Sequence, residues 1–272
     1  MKNFNKKILF VSLIGVLISC SNPSDLKSSI SMFKDNYELY QYNNNSTFNE
    51  LSEYMNEKRS FYLKNFKNNP SSFEFLSSAK TNQYLDGELF LHRYDDSNVV
   101  FDYKNSLLNV VESVDYSPSM KYKNITQYQV KNDSVYNISL NDLTYKIQEN
   151  KSILETANFE LLSYIDFFNI PLFVKNNKED YTFYIDDNIV TIVRKEEYMS
   201  TSVENIKVTY DEVYQYYFDI KHVFMYVNSS ILNENIITES KNNSFYEGYY
   251  ELVFDHRTLG KIDIEQGYTK LD

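Results

Sequence analysis

The first apolar stretch of the chain is short and follows a positively charged segment. Residues 8–18 are almost wholly apolar, and Lys2, Lys6 and Lys7 precede them. A helix that crosses a bilayer needs roughly 20 apolar residues, so this run is too short for a lasting span. A positive segment followed by a short apolar one is typical of a secretory signal.

The next periodic segment has the spacing of a helix. Thr47 and Glu50 match a capping box, in which a hydroxyl and a carboxylate satisfy free backbone N–H groups. One apolar face follows, at Phe48, Leu51, Met55, Tyr62 and Phe66. The sequence therefore predicts a helix that ends near residues 68–70. The polar residues 20–45 before it are expected to form a tether, with a short strand at 37–42.

After residue 71 the apolar period changes to two, which is typical of β-strands. Strands are predicted near 89–92 and at 99–103, 107–114, 122–130, 135–140, 143–147, 181–185, 189–194, 206–210, 214–220, 222–227, 249–254 and 261–264. Residues 95–98 are expected to form a hairpin loop. The Asn- and Ser-rich residues 228–244 predict a long mobile connection, with a short strand at 236–237. Short connections favour antiparallel neighbours.

A second helix is predicted at 153–168, before the helix-ending dipeptide Ile170-Pro171. Its apolar face holds Leu154, Ala157, Leu161, Ile165 and Phe168. Because strands and helices do not alternate, a parallel doubly wound sheet is not expected. The pattern favours an α+β fold in one domain over residues 46–272. We expect about a dozen strands in a mostly antiparallel, strongly curved sheet, with two main amphipathic helices packed on it.

Composition and charge exclude several classes of function. The chain has a net charge of -11, whereas proteins that coat nucleic acid need clustered Lys and Arg. A single Cys cannot form an internal disulfide or a Cys-based metal site. Five Gly leave no Gly-rich phosphate cradle. The sequence predicts no cofactor, no metal and no nucleic acid partner.

Recognised catalytic motifs are absent from the sequence. His92, His222 and His256 lie too far apart along the chain for a local metal pair. Acidic pairs stand at 95–96, 179–180, 186–187 and 196–197. Most of these pairs lie in predicted turns, where Asp is favoured for its own hydrogen bonds. A site assembled through space from carboxylates or histidines stays open.

Aromatic side chains make up 17% of the chain, and their densest run covers residues 210–218. Within that run, Tyr214, Tyr216 and Phe218 share one face of a predicted strand. Such a face can pack across strands, or it can serve as a binding surface, since Tyr combines an apolar body with a polar tip. We expect these three side chains to be ligand-facing in the second case.

The tetrapeptide Leu17-Ile18-Ser19-Cys20 resembles the lipobox of bacterial lipoproteins. The resemblance implies that a signal peptide at 1–19 is cut between Ser19 and Cys20, and that the Cys20 thiol carries a diacylglyceryl group. Several buried acyl chains, each contributing roughly 0.8 kcal/mol per CH₂, would hold the protein on a membrane. Ser rather than Asp at residue 21 is compatible with delivery to the outer membrane.

The segment Gly87-Glu88-Leu89-Phe90-Leu91-His92-Arg93 is similar to the strand that follows the first helix in lipoprotein carriers of the LolA/LolB type. Residues 252–255 and 260–264 look like the closing hairpin of that family. The resemblance implies a curved antiparallel sheet, lidded by helices, that holds acyl chains in an apolar cavity. It places Phe48, Leu51, Leu161 and Ile165 on the cavity wall.

Three functions therefore stand side by side. The first is a non-enzymatic, membrane-anchored envelope lipoprotein that binds an apolar ligand or a protein partner, on the outer membrane rather than the inner one. The second is a LolA/LolB-like carrier or acceptor of acylated cargo. The third is an envelope hydrolase with an unrecognised site.

Overall fold

The computed structural model describes residues 45–68, 72–102, 104–117, 120–131, 134–149, 168–254, 259–265 and 267–271. Within these residues the helices are α1 (Phe48–Asn68) and the short α2 (Leu172–Asn176), followed by a 3₁₀ turn (Lys178–Asp180). The strands are β1 (Asn45–Ser46), β2 (Phe73–Leu85), β3 (Glu88–Asp102), β4 (Leu107–Ser117), β5 (Met120–Lys131), β6 (Ser134–Ser139), β7 (Thr144–Glu149), β8 (Thr182–Asp186), β9 (Ile189–Met199), β10 (Ile206–Phe218), β11 (His222–Asn235), β12 (Lys241–Phe254) and β13 (Thr269–Lys270).

The thirteen described strands form a single sheet in the order β1-β8-β9-β10-β11-β12-β2-β3-β4-β5-β6-β7-β13. Every neighbouring pair is antiparallel except β7 and β13, which are parallel. Two meanders, β2–β7 and β8–β12, meet where β12 pairs with β2 from Asn242↔Leu85 to Phe254↔Phe73. The prediction of a mostly antiparallel sheet of about a dozen strands is confirmed.

Helix α1 begins and ends where the sequence predicts. The backbone N–H of Thr47 donates to Glu50 Oε2 at 2.6 Å, and the Glu50 N–H donates to Thr47 Oγ1 at 3.2 Å, which is the capping box. The apolar face then buries Leu51, Met55 and Tyr62 against the sheet. The last helical residue is Asn68.

A row of stacked aromatic rings crosses the core and joins α1 to the sheet. In order, the stacked rings are those of Tyr216, Phe218, Phe168, Tyr62 and Phe254. Their centroids lie 5.1 to 6.3 Å apart, within the range in which aromatic pairs attract each other. The Tyr62 hydroxyl also donates to the Asp219 backbone oxygen, so the middle of the row is tied to the β10–β11 turn.

Several strands are longer than predicted, because pairing overrides local polarity. Residues 95–98 are not a hairpin loop: they lie inside β3, hydrogen-bonded to β2 and β4 on either side. Residues 206–210 and 214–220 are not separate strands, since one continuous strand, β10, extends from Ile206 to Phe218. Residues 228–244 are not a long mobile connection. They complete β11 and begin β12, with a tight turn at 236–240.

The C-terminal part also differs from the prediction. Residues 261–264 are not a strand but part of an irregular segment, 259–265, that lies on β5. Side-chain amides hold it there, because Gln127 Nε2 donates to the Gly260 oxygen at 3.0 Å and Gln129 Nε2 to the Ile262 oxygen at 3.2 Å. The predicted signal, the predicted strand at 37–42 and the predicted helix at 153–168, except for its last residue Phe168, lie outside the described residues. In the described part of the chain, no helix combines the length and apolar character that crossing a bilayer requires.

Candidate functional site

A cavity of about 410 Å³ lies between α2, with the residues that lead into it, and the ends of strands β10 and β11 that meet at the β10–β11 turn. Seven residues line it: Asn169, Ile170, Pro171, Leu172, Lys175, Tyr216 and Met225. Ligand pockets for small molecules have volumes of roughly 300–1,000 Å³ and mainly apolar walls with a few polar groups. The cavity meets both criteria, since Asn169 and Lys175 are polar and most of the other lining side chains are apolar.

The floor of the cavity is set by strand register. Tyr216 of β10 is directly opposite Met225 of β11, so both side chains point to the face that carries the stacked rings. Tyr216 is fully buried, and this burial raises the pKa of its hydroxyl, which therefore stays protonated. Met225 is partly buried and packs on the edge of the core. Its unbranched thioether adapts to occupants of different shape.

The roof is the short helix α2, which is fixed on one side only. Val174 is completely buried, and the Phe173 ring lies 5.3 Å from the Tyr214 ring. Asn177 closes the helix, because its side-chain Nδ2 donates to the Phe173 oxygen at 2.8 Å. On the cavity side, Leu172 is 71% exposed. The roof therefore presents apolar surface that the sheet does not fill.

A buried polar network lies beside the cavity, beyond the Phe173–Tyr214 contact. Its centre is Glu212 of β10, which is only 6% exposed. The Tyr181 hydroxyl donates to Glu212 Oε2 at 2.9 Å, and Ser229 Oγ donates to Oε1 at 3.0 Å. Burial and the adjacent carboxylate raise the pKa values of Tyr181 and Tyr214. Both phenols therefore stay protonated and donate hydrogen bonds to Glu212.

Arg194 supplies the positive charge of this network. It donates to Glu196 Oε2 at 2.7 Å and to Asp180 Oδ2 at 3.2 Å, and it lies 3.9 Å from Glu212 Oε2. Its guanidinium also lies 3.7 Å from the centre of the Tyr210 ring. Burial would lower the pKa of Arg194, but the hydrogen bonds to its partners outweigh this and raise it. The arrangement ties β9, β10 and the 3₁₀ turn into one charged, saturated cluster.

Two of the predicted acidic pairs meet, because Asp180 and Glu196 both bond to Arg194, whereas His92 and His222 have separate partners. His92 bonds to Asn82 at 2.6 Å, and His222 lies 3.3 Å from Glu251. His256 lies outside the described residues. Among the residues that the structure describes, no three His, Cys, Asp or Glu side chains converge as a metal site would require.

The residues expected to face a ligand are distributed over three places. Tyr216 lines the cavity, whereas Leu51 and Phe218 are buried in the packed core. Tyr214 belongs to the polar network through its hydroxyl, 3.4 Å from Glu212 Oε1. Phe48 lines a second, more polar cavity of about 450 Å³ at the start of α1. Leu161, Ile165 and Cys20 lie outside the described residues.

Most of the cavity wall was missed by sequence reasoning. The sequence predicts that a helix ends at Ile170 and Pro171, and that pattern does not reveal that both residues line the cavity. Met225 could have been found, because the alternation of β11 places it on the face opposite His222 and Phe224. Lys175 carries no pattern signal, since only the fold brings it to the cavity.

No protein-family model and no curated protein matches the chain. Among solved structures, a DUF1329 family protein from Desulfovibrio piger is similar over 75% of this chain and 95% of that chain. The sequence identity is 10% and the TM-score is 0.15, so this likeness carries no argument about function.

Proposed function

We propose that this protein is a bacterial envelope lipoprotein, anchored through Cys20, whose sheet domain binds an apolar ligand without catalysis. The observation that supports the binding role is the cavity between α2 and strands β10 and β11. Removing apolar surface from water contributes roughly 25 cal/mol per Å². An apolar ligand that fills this space would gain that contribution against Ile170, Leu172 and Met225.

The polar network supports binding rather than chemistry in this proposal. Glu212 already accepts hydrogen bonds from a tyrosine and a serine, and Arg194 is shared among three carboxylates. Groups that are saturated in this way hold the sheet and the 3₁₀ turn in place. They would keep the sheet beneath Phe173, next to the cavity, rigid, so that little conformational entropy is lost when the ligand binds.

A carrier or acceptor of acylated cargo is the second candidate. It is favoured by one observation: α1 and α2 both pack on the face of the sheet that carries the stacked rings. In this proposal the sheet is strongly curved, and a second amphipathic helix at 153–168 joins α1 on its concave side, as the resemblance to the LolA/LolB type implies. The ligand would then be an acyl chain of another lipoprotein.

The anchor is tested by metabolic labelling with radioactive palmitate. Because the chain has one Cys, any thiol-linked label must sit on Cys20. We expect label on the wild-type chain and none on the Cys20→Ser variant, and we expect the labelled protein in outer-membrane fractions. An unlabelled wild-type chain would contradict the anchor and leave the cavity unaffected.

The ligand is tested with a fluorescent reporter next to the cavity. The chain has no Trp, so Phe173→Trp, made in the full chain with Cys20→Ser, is the sole tryptophan. Phe173 is 43% exposed on α2 and adjoins the wall residue Leu172, so bromine atoms in the cavity would quench it. We expect saturable quenching by brominated palmitate.

A matched pair of methionine variants serves as the control for that titration. Met225→Phe places a rigid ring in the cavity and should abolish saturable quenching. Met199→Phe, at a 47% exposed site outside the cavity, should leave quenching unchanged. Linear, non-saturable quenching in all variants would reject the proposed binding site.

A further inference from the structure

One positive charge, that of Lys175, borders the cavity in an otherwise acidic protein. Residues 169–178, which include the whole roof, contain Lys175 and Lys178 and no acidic side chain, whereas the chain as a whole carries a net charge of -11. Lys178 lies over the Phe48 ring, 5.8 Å from its centre. Lys175 alone of the two lines the cavity.

Lys175 differs from the lysines that are paired elsewhere on the sheet. Lys207 lies 2.8 Å from Glu197, and Lys241 lies 2.9 Å from Glu234. No carboxylate among the described residues lies within ion-pair distance of the Lys175 ammonium. Its stem can follow the apolar wall while the charge stays at the water-exposed edge, which is the usual behaviour of Lys next to apolar surface.

The cavity therefore presents two complementary features to a ligand. Leu172 and Met225 offer apolar surface, and Lys175 offers next to it one positive charge that no carboxylate of the described residues pairs. An unbranched chain that ends in an anion matches both at once. The volume of about 410 Å³ lies in the lower part of the usual range for ligand pockets, which favours one chain over the two of a diacyl lipid.

We propose that the ligand is a single-chain anionic amphiphile, with its chain in the cavity and its carboxylate or phosphate headgroup paired with the Lys175 ammonium. The inference rests on the proposed binding function and adds the chemical class of the ligand. Such a pair forms a charge-assisted hydrogen bond, which is stronger than a neutral one. It also fixes the direction in which the chain enters.

The test uses the Phe173→Trp reporter in the full chain with Cys20→Ser, and compares brominated palmitate with its methyl ester. Both ligands have the same chain, but only the acid has a charge. We expect Lys175→Gln to weaken palmitate binding about tenfold and to leave the methyl ester unchanged. Lys221→Gln, an exposed lysine in the β10–β11 turn outside the cavity wall, is the matched control and should change neither.

Competition by lysophosphatidate identifies the headgroup. If it displaces the brominated ester from the wild-type chain and loses potency in Lys175→Gln while palmitate does not, the recognised anion is a phosphate. If palmitate loses potency in Lys175→Gln while lysophosphatidate does not, the recognised anion is a carboxylate. Either result supports the inference. Equal binding of acid and ester, with no effect of Lys175→Gln on any ligand, would overturn it while leaving the cavity function intact. Absence of saturable quenching by every ligand would instead reject the proposed function itself.

Discussion

The two meanders of the sheet are covered in different ways. On the β8–β12 meander, the cover is helical: α1 packs on it through Phe48 and Tyr54, and the short α2 contacts it through Val174 and the Phe173 ring. On the β2–β7 meander, one face is covered by the irregular segment 259–265, which is held by hydrogen bonds to buried polar side chains. We call these the helix-covered half and the segment-covered half.

The segment-covered half is closed by a buried carboxylate. Asp102 is 1% exposed, and its Oδ2 accepts hydrogen bonds from the Leu259 N–H and from Asn105 Nδ2, each at 2.7 Å. Gln127 adds a second contact, because its Oε1 accepts from the Ile262 N–H at 3.3 Å. Backbone groups of segment 259–265 thus each bond to a side chain of the sheet beneath, namely Asp102, Gln127 or Gln129.

The two kinds of cover explain where a cavity can remain between the sheet and its cover. An irregular segment can adjust each residue to the surface below, so it leaves little space. A five-residue helix presents side chains in a fixed arc and cannot follow a row of large rings. The gap beside Tyr216 and Met225 is the result, and it is available to a ligand.

The largest expected change in the free energy of unfolding comes from a comparison of two methionines in the helix-covered half. Met55 is a residue of α1 and is 2% exposed in the core, whereas Met225 borders the cavity. We expect Met55→Ala to lower the free energy of unfolding by about 2–5 kcal/mol, and Met225→Ala by no more than about 1.5 kcal/mol, because the second removal only enlarges an existing space. Urea denaturation measures both. Equal losses would mean that the site next to α2 is packed as tightly as the core.

The next effect probes the segment-covered half. Asp102→Ala leaves buried N–H donors without their charged acceptor, so we expect the free energy of unfolding to fall by about 3 kcal/mol. Asp142→Ala, at an exposed turn carboxylate, is the control and should change stability by less than about 0.5 kcal/mol. If both substitutions had the same small effect, segment 259–265 would not depend on this carboxylate.

Asp102 also predicts a pH dependence. Burial alone would raise the pKa of Asp102, but hydrogen bonds from the amides of Leu259, Asn105 and Lys104 outweigh it and hold the pKa below its ordinary value of 3.8. A lowered folded-state pKa stabilises the protein above that value, and the contribution is lost as the pH falls through the folded pKa. Between about pH 6 and about pH 3, Asp102→Asn should therefore lose less stability than the wild type. Parallel pH profiles would contradict this.

A smaller effect is expected in β12, the strand that joins the two meanders. The hydroxyls of Tyr246 and Tyr250 meet over Gly248, where a Cβ would come within 2.9 Å of Tyr246 Oη and of Tyr250 Cε2. Gly248→Ala should lower the free energy of unfolding by about 1–3 kcal/mol through this overlap. Adding Tyr246→Ala should reduce the further cost of Gly248→Ala, which a double-mutant cycle measures. Strict additivity would reject the steric explanation.

The smallest expected change in the free energy of unfolding tests whether α1 can open locally while the sheet stays folded. Thr47→Ala removes the cap of α1 and should lower the free energy of unfolding by about 1 kcal/mol. Hydrogen exchange should increase first in the first turn of α1, while amides of β4 and β5 keep their protection. A simultaneous increase in both places would mean that the two halves open as one unit.

The parts of the fold that can be predicted from the sequence are those that depend on residues close together along the chain. Helix α1 is one example, because its cap and its apolar face are local features. The extent of β11 and β12 is the opposite case. Their Asn- and Ser-rich ends read as a loop, yet Lys241 pairs with Glu234 across the strands, at 2.9 Å. Strand formation there is decided by the partner strand, which sequence polarity does not reveal.

The candidate site could be predicted only in part, for the same reason. Alternation in β10 identifies Tyr216 as facing inward, and the structure places it on the cavity floor. Pro171 predicts that a helix ends there, but it does not predict the cavity that Pro171 lines. The position of Lys175 depends on how α2 docks on β10, which is a tertiary contact with no local signature.

The most direct measurement is a native mass spectrum of the full chain with Cys20→Ser, purified from a lipid-containing host without added ligand. We expect a reproducible adduct with the mass of a single-chain lipid, which is lost on mild activation. The adduct should be absent from Met225→Phe and present in Met199→Phe. A bare protein mass for both Cys20→Ser alone and its Met199→Phe derivative would contradict a ligand-binding cavity under α2.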